Sequence, residues 1–206
     1  WVNYRLYTNT YDVNNNLTEE ILQNWDGSNW VNDWKHIYTY DINNNRIERL
    51  DQNWEVSAWI NFNLYTYIYD GNHNIIELLS QFWVSNNWIN NWKYTSTYDL
   101  NNNRIEDLME NWLGSIWEND YRYTYTYDIN NNMIENLYQY WVNTFWMNDW
   151  KLSYTYDVYN NMIEELDQEW NGSIWVNLWK ITSSYIITEI EQYEFGVYTY
   201  NLSNNY

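Results

Sequence analysis

The stretch YTYDINNNRIERL, residues 38–50, decides the fold of this chain. Tyrosine and threonine alternate up to Asp41, three asparagines follow, and a second strand-like run begins near Ile47. An alternation with a period of two indicates β-strands, and Asp and Asn favour the turn between them. The stretch therefore predicts a β-hairpin in which Asp41 accepts backbone hydrogen bonds and an asparagine takes the left-handed conformation.

The Tyr-Asp pair of this stretch recurs at a constant spacing of 29 residues. A fixed period of this size is typical of a repeat protein. We therefore predict six 29-residue hairpin repeats over residues 1–174, each beginning at a tryptophan, and an atypical C-terminal segment with an extra strand over residues 175–206, continuous with the array. The pairs are Tyr11-Asp12, Tyr40-Asp41, Tyr69-Asp70, Tyr98-Asp99, Tyr127-Asp128 and Tyr156-Asp157.

The first strand of each repeat is expected in stretches such as WVNDWKHIYTYD, residues 30–41. Simple alternation places every second side chain of this strand on a ring-rich face and the other side chains on a mostly polar face. Since aliphatic residues are sparse, we predict that the ring-rich face forms the core. Its members in this repeat are Trp30, Asn32, Trp34, His36, Tyr38 and Tyr40.

The second strand of each repeat is expected in stretches such as RIERLDQNW, residues 46–54. We predict that its recurring side chains lie where repeats meet, and that its variable side chains face solvent. The recurring set in this repeat is Glu48, Leu50, Gln52 and Trp54, and one variable position holds Asp51, Ser80, Met109 and Tyr138 in successive repeats.

These strands predict an all-β fold, an antiparallel β-meander repeat array with one hairpin per 29-residue repeat. The composition agrees, because 24 Tyr and 17 Trp favour strands and proline is absent. Glycine in DGSN (26–29), LGSI (113–116) and NGSI (171–174) suits the connections between hairpins. An open sheet of about 15 strands is unusually wide, so we expect a curled or stacked sheet.

The formal charge of −19 excludes the classes of protein that bind polyanions. Nucleic acids and anionic membranes both require a cationic surface, so we expect neither partner and no membrane insertion. No initiating Met, basic-then-apolar leader or long apolar run is present. The sequence is therefore interpreted as the processed part of an exported protein, extracellular or at the cell surface, with a fragment of a cytoplasmic protein as the alternative.

The pattern W-x-N…Y-T-Y-D-x-N-N-N-x-I-E…Q-x-W-x-G-S resembles the tandem repeats of secreted bacterial surface proteins. Its Tyr-Asp core is similar to the YD repeats of the Rhs family. The resemblance covers residues 1–174, and it departs from YD repeats where Asn16, Asn45 and Asn103 replace a glycine. It implies an extracellular β-repeat array that serves as a scaffold or an adhesin.

Catalytic chemistry has few candidate residues here. Cysteine is absent, and the two histidines, His36 and His73, lie in different repeats. No Ser/His/Asp arrangement is apparent, and acidic pairs such as Glu164-Glu165 are expected by chance in so acidic a chain. We predict that the protein is not an enzyme.

The asparagine turns are candidate metal sites. Their D-x-N-x-N spacing resembles the oxygen-rich opening of calcium loops, but one carboxylate per turn is a weak ligand set. We predict metal-independent turns and no cofactor, with Ca²⁺ as the alternative. The candidate ligands are Asp12, Asn14 and Asn16 in one turn and Asp41, Asn43 and Asn45 in the next.

The two ends of the sequence suggest self-association. The first strand matches an ordinary repeat, and VYTYNLSNN, residues 197–205, repeats the pattern of IYTYDINNN, residues 37–45. Strands of this kind can pair with another copy and give a head-to-tail homopolymer. We therefore predict a structural subunit of an extracellular filament, tube or surface layer, with a carbohydrate-binding adhesive module as the alternative. The expected assembly residues are Trp1, Tyr7, Tyr11, Tyr198, Tyr200 and Leu202.

Overall fold

The computed structural model describes residues 4–183, and every regular element in this range is a β-strand. The strands are β1 Arg5–Tyr11, β2 Leu17–Trp25, β3 Trp30–Tyr40, β4 Arg46–Glu55, β5 Ala58–Tyr69, β6 Ile75–Val84, β7 Asn87–Tyr98, β8 Arg104–Trp112, β9 Trp117–Tyr127, β10 Met133–Val142, β11 Phe145–Tyr156, β12 Met162–Trp170 and β13 Trp175–Thr182.

The 13 strands form one antiparallel sheet in which each strand pairs with its neighbours in sequence. Since β1 and β13 lie at opposite ends of this order, the sheet formed by the described residues is not closed. The predicted all-β meander is thereby confirmed. The predicted extra strand and four assembly residues lie outside the described range, namely Trp1, Tyr198, Tyr200 and Leu202.

Contacts divide the described chain into two compact units. The N-terminal unit comprises residues 4–95 and 110–118, and the C-terminal unit comprises residues 96–109 and 119–183. Both units are built from the same hairpin. In the described part of the chain, no helix is long and apolar enough to span a bilayer.

The Asp-x-Asn-Asn-Asn turns form as predicted. Asp41 Oδ1 accepts hydrogen bonds from the backbone N–H groups of Asn43 and Asn45, both at 2.8 Å. Asn44 takes the left-handed conformation with a φ of 64°, which asparagine tolerates better than most residues. The equivalent position is left-handed in all six turns, at Asn15, Asn44, His73, Asn102, Asn131 and Asn160.

The connections between hairpins have two forms. Three use a glycine with positive φ, at Gly27, Gly114 and Gly172, as the sequence predicts. The others are two-residue turns in which both central residues have positive φ, as at Val56 (44°) and Ser57 (75°). Such turns match strand twist but favour Asn-Gly, so the β-branched Val56 is strained there.

A β-bulge in the first strand of the hairpin changes which side chains share a face. In the pairing of β2 with β3, Gln23 is opposite Asn32 whereas Leu22 is opposite Trp34, which leaves Asp33 as the extra residue. The same shift occurs in four further pairings. Neighbouring residues of β2 point to opposite faces, so Asn32 and Trp34 do too. The prediction of one continuous ring-rich face along β3 is therefore wrong.

The two faces of the sheet differ in their side chains. We call the face that carries the Gln23–Asn32 and Trp25–Trp30 pairs and their equivalents the ladder face. The opposite face carries the tyrosines and the remaining tryptophans, and we call it the ring face. Its members in β3 are Trp34, His36, Tyr38 and Tyr40.

Burial is concentrated on the ring face, at positions that vary between repeats. The buried residues of the described chain, with their exposed fractions, are Leu22 (3%), Asp51 (8%), Ser80 (1%) and Asp107 (0%). Asp51 and Ser80 occupy the variable position that was predicted to face solvent, so that prediction is wrong. Rings on flanking strands cover the shorter side chain, since Ser80 lies directly between Tyr65 and Trp92.

Candidate functional site

The ladder face is made of contacts that recur along the chain. Gln52 Nε2 donates to Asn61 Oδ1 across the hairpin at 2.8 Å. The rings of Trp54 and Trp59 pack edge to face with their centroids 5.0 Å apart. Lys35 Nζ, from the preceding strand, lies 4.8 Å from the centroid of the Trp59 ring. These contacts bind one strand to the next, which accounts for the recurrence of the residues.

Four tyrosines of the Tyr-Asp pairs link their repeats to the preceding ones. Tyr40 Oη donates a hydrogen bond of 2.9 Å to the backbone carbonyl of Leu17. This carbonyl lies 23 positions earlier, at the start of the preceding second strand. The same bond runs from Tyr69 to Arg46, from Tyr127 to Arg104 and from Tyr156 to Met133.

The last two asparagines of the turn form hydrogen bonds between neighbouring repeats. Asn16 Nδ2 donates to Asp12 Oδ2 of its own turn at 3.0 Å and to Asn44 Oδ1 of the next turn at 2.9 Å. Equivalent bonds join Asn103 to Asn131 and Asn132 to Asn160. The asparagine run therefore joins neighbouring turns as well as closing its own.

The candidate calcium ligands are the residues that build these turns. Both oxygens of the Asp41 carboxylate accept hydrogen bonds, Oδ1 from Asn43 and Asn45 and Oδ2 from the Asn45 side chain. These bonds, led by that of the Asn45 side chain, lower the pKa of Asp41 below its ordinary value of 3.8. In residues 4–183 no group of three or more His, Asp or Glu could hold a metal ion. Metal-independent turns stay our prediction, and melting of the sheet on calcium chelation would contradict it.

A buried carboxylate of the N-terminal unit, Asp51, is paired with a cation of the same chain. Arg49 Nε and Nη2 donate to Asp51 Oδ1 and Oδ2 at 2.7 and 3.1 Å, and His36 Nδ1 lies 2.6 Å from Oδ1. The guanidinium group also lies over the Tyr65 ring, 5.4 Å from its centroid. A guanidinium group can pair with a carboxylate through two hydrogen bonds while it stacks on an aromatic ring, whereas a lysine ammonium group cannot.

A second buried carboxylate, Asp107, lies in the C-terminal unit. It accepts hydrogen bonds from Ser96 Oγ at 2.6 Å and Tyr125 Oη at 2.8 Å, and Arg104 Nε lies 3.2 Å away. Burial, and then the hydrogen bond to Asp107, raise the pKa of Tyr125 above its usual value of 10. These hydrogen bonds join side chains of β7, β8 and β9 around the buried carboxylate.

A cleft of about 530 Å³ opens on the ring face of the C-terminal unit. Its walls include the indole rings of Trp150 on β11 and Trp179 on β13, with carboxylates of Asp167 and Glu169 from the intervening β12. One face of the Trp150 ring is stacked on Tyr138, with the centroids 5.6 Å apart. The cleft therefore combines aromatic walls with negatively charged side chains.

The negative charge of this region also acts on a neighbouring tyrosine. Burial, followed by the charge of Glu165, raises the pKa of Tyr154 above its usual value of 10. Asp167 adds to the effect in the same direction. A cation in this region would be stabilised by the same charges.

Two of the predicted assembly residues are on the described first strand. Tyr7 and Tyr11 are 51% and 52% exposed, and all seven residues of β1 are exposed. Tyr7 contacts Trp34 edge to face at 6.1 Å. These two tyrosines therefore lie on one face of β1, and their role in assembly stays a prediction.

The two buried carboxylates and the cleft were missed in the sequence analysis. These features depend on residues that differ between repeats. Asp51 and Asp167, for example, occupy the same repeat position, but Arg49 near Asp51 is replaced by Glu165 near Asp167. Listing departures from the 29-residue pattern, and not only its recurring residues, would have marked Arg49 and Glu165.

No family model matches this chain, and no curated protein is similar to it. Solved structures that share some similarity include a DUF3836 family protein from Bacteroides vulgatus, which is 26% identical with a TM-score of 0.36 over 43% of this chain and 91% of that one. A DUF3836 family protein from Parabacteroides distasonis is 18% identical, with a TM-score of 0.34 over 45% and 90% of the two chains. A porin-like protein from Bacteroides uniformis is 11% identical, with a TM-score of 0.34 over 84% and 85%.

Proposed function

We propose that this protein is a structural subunit of an extracellular assembly, a filament, tube or surface layer that forms from copies of the chain. The observation that carries the proposal is that the recurring residues make the contacts that hold the sheet together. The Tyr hydroxyls, Asn side chains, Gln–Asn pairs and Trp pairs serve contacts within and between repeats. A motif that maintains a sheet in this way fits a scaffold.

Self-association has support in the low burial of the sheet. In residues 4–183 only one hydrophobic side chain, Leu22, is buried, although the ring face carries many tyrosines and tryptophans. Covering such a surface with another copy would remove further apolar area from water. The resemblance to repeats of secreted bacterial surface proteins supports an extracellular location.

The junction proposed for this assembly includes β1. Among the described residues β1 pairs with β2 alone, so its other backbone edge can pair with a further strand. Tyr7 and Tyr11 are half-exposed beside this edge. Trp1, Tyr198, Tyr200 and Leu202 complete the proposed junction, outside the described range.

Charged substitutions on β1 test this proposal. The double variant Tyr7→Lys, Tyr11→Lys should remain folded and lose polymers, because lysine on an edge strand opposes strand addition. Sedimentation and electron micrographs of the purified chain measure the result. The control is Val13→Lys, a change at a fully exposed turn residue, which should leave polymers intact. A wild-type chain that stays monomeric at high concentration would contradict the proposal.

A carbohydrate-binding adhesive module is the second candidate, and the cleft favours it. Sugar rings stack on indoles, and carboxylates accept hydrogen bonds from hydroxyl groups. Titration of neutral polysaccharide fragments against the wild type and Trp179→Leu tests this candidate. Binding that the variant loses would support it, and no binding to the wild type would remove it.

A further inference from the structure

The cleft of the C-terminal unit has a counterpart in the N-terminal unit that shows what occupies such a site. Asp167 of the cleft and Asp51 hold the same position of the 29-residue repeat, four repeats apart. Asp51 binds the guanidinium group of Arg49 through two hydrogen bonds of 2.7 and 3.1 Å. The counterpart of Arg49 in the cleft repeat is Glu165. The cleft therefore keeps the carboxylate and replaces its guanidinium partner with another negative charge.

The second partner of Asp51 is also replaced in the cleft. His36, whose Nδ1 lies 2.6 Å from Asp51 Oδ1, corresponds to Leu152, which is directly opposite Asp167 on β11. Leu152 has no polar group that could pair with a carboxylate. Both partners of Asp51 in the N-terminal site are thus absent from the equivalent positions of the cleft.

A further carboxylate of the cleft loses its partner in the same way. Asp33, on the bulge of β3, accepts a hydrogen bond of 2.9 Å from Asn24 Nδ2. Asp149 holds the same position in β11, and the counterpart of Asn24 there is Tyr140. No amide is available to Asp149 at that position.

The cations of the neighbouring strands do not reach the cleft. Lys151 Nζ and Lys180 Nζ are directed to Glu135 at 3.2 Å and Glu164 at 2.6 Å, on the ladder face. In the described chain, no ion pair involves the carboxylates of the cleft. Those carboxylates are Asp149, Asp167 and Glu169, with Glu165 beside them.

The rings of the cleft suit a flat cation. Trp150 has one ring face on Tyr138, which leaves its other face on the side of β12. Trp179 is directly opposite Asp167 on the far side of β12. These two indoles are on strands separated by two strand spacings, about 10 Å. A planar group between them can lie over an indole while it pairs with a carboxylate.

We propose that this cleft binds the guanidinium group of an arginine side chain on a peptide ligand. Asp167 pairs with the guanidinium as Asp51 does with Arg49, Glu169 and Asp149 add negative potential, and the guanidinium stacks on one of the two indoles, Trp150 or Trp179. Guanidinium is favoured over ammonium because the N-terminal site makes a two-point pair with a stacked, planar group. This binding is separate from the proposed structural role.

The test uses the full chain and the amidated peptide Gly-Gly-Arg-Gly-Gly, with binding measured by calorimetry and by NMR of the indole N–H signals. Replacing the arginine by the neutral isostere citrulline should weaken binding by roughly tenfold or more, because charge-assisted hydrogen bonds are lost. A lysine peptide should bind more weakly than the arginine peptide. Free arginine amide that binds as tightly as the peptide would assign the site to a small molecule and overturn the peptide part of the proposal.

The decisive variant supplies the missing partner from the chain itself. Glu165→Arg should abolish peptide binding, because its guanidinium group can pair with Asp167 as Arg49 pairs with Asp51. Asp167→Asn should weaken binding roughly tenfold. The controls Glu118→Lys and Glu118→Gln make the same changes in net charge at an exposed residue of the N-terminal unit and should bind as the wild type does.

Circular dichroism verifies that Glu165→Arg remains folded. If Glu165→Arg is unfolded, the comparison of peptide binding by Asp167→Asn and by Glu118→Gln takes its place. Equal affinity for the arginine and citrulline peptides, or unchanged binding by folded Glu165→Arg, would overturn the proposal. Binding of neutral saccharides without binding of the arginine peptide would overturn it too, in favour of the carbohydrate candidate.

Discussion

The ladder face and the ring face belong to the same backbone but vary in different ways. On the ladder face the same pairs recur, such as Gln52–Asn61 and Trp54–Trp59. On the ring face one repeat position holds Leu22, Asp51, Ser80, Met109, Tyr138 and Asp167 in turn. The first three of these are buried. Recurrence therefore marks contacts that hold strands together, whereas burial depends on the side chains that surround a position.

The ring face tolerates variation because each change is matched by its neighbours. Asp51 is accompanied by Arg49 and His36, and Asp107 is accompanied by Ser96 and Tyr125. A buried charge without such partners would destabilise the sheet by several kcal/mol. Asp167 lacks such partners and lies at the open cleft, where water or a ligand can solvate it.

The largest effect is expected from breaking a buried cluster of the ring face. Asp107→Ala should lower the free energy of unfolding by about 3 kcal/mol, because Ser96 and Tyr125 lose their shared acceptor. Asp167→Ala is the matched control and should change it by less than about 0.5 kcal/mol. Urea titration measures both, and equal losses in the two variants would remove the distinction between the cluster and the cleft.

A smaller effect is expected from a recurring contact on the same face. Tyr127→Phe removes the hydroxyl that donates to the Arg104 carbonyl and should cost about 1.5 kcal/mol. Tyr159→Phe is the control, since the Tyr159 ring is 66% exposed in a turn. Thermal unfolding of the two variants should differ, with the lower midpoint for Tyr127→Phe. Equal midpoints would mean that the tyrosine hydroxyl does not join repeats.

The turn at Val56-Ser57 lies outside both faces, and a substitution there is expected to stabilise the chain. Replacing Val56-Ser57 with Asn-Gly should stabilise the chain by about 1 kcal/mol, because both residues have positive φ and valine is strained there. The control is Asn86→Gly in the equivalent turn, where asparagine already suits a φ of 63° and the gain should be smaller. The thermal midpoint measures both changes. A lower midpoint for the Asn-Gly variant would contradict the turn assignment.

The smallest effect is expected on the ladder face. Lys93→Met removes a 2.7 Å ion pair with Glu110 and the cation over the Trp117 ring, 5.0 Å from its centroid. The expected loss is about 0.5 kcal/mol, because such contacts are partly solvated. Repeating the denaturant titration in 1 M salt should shrink this loss, since salt screens the pair. A loss larger than that of Asp107→Ala would reverse the ranking of the two faces.

The hairpin itself could be predicted from local sequence. Alternation, the 29-residue period and the chemistry of Asp41 and Asn44 are enough to place strands and turns, and the structure confirms them. The faces could not be assigned in this way. The bulge at Asp33 adds one residue to β3, which moves Trp34 to the face opposite Asn32. Nothing in the alternation of residues 30–40 marks this addition.

The candidate cleft is harder to predict because it depends on differences between repeats. Glu165 and Leu152 are unremarkable as single residues, and they gain meaning only when compared with Arg49 and His36 around an equivalent carboxylate. The sequence supplies that comparison, but the pairing register is needed to know which residues face one another.

The central claim is that the ionised Asp of each Tyr-Asp pair holds its turn without a metal ion. The most direct test measures the effect of Asp41→Asn on the unfolding midpoint as a function of pH, with a calcium chelator present. The folded-state pKa of Asp41 is below the ordinary value of 3.8, so its stabilisation is fully present above that value and is lost as the pH falls through the folded-state pKa.

We predict a lower midpoint for Asp41→Asn than for the wild type at pH 7, and a difference that shrinks towards zero as the pH falls well below 3.8, because the protonated Asp41 then resembles asparagine. A difference of the same size at both pH values, or none at pH 7, would contradict the claim.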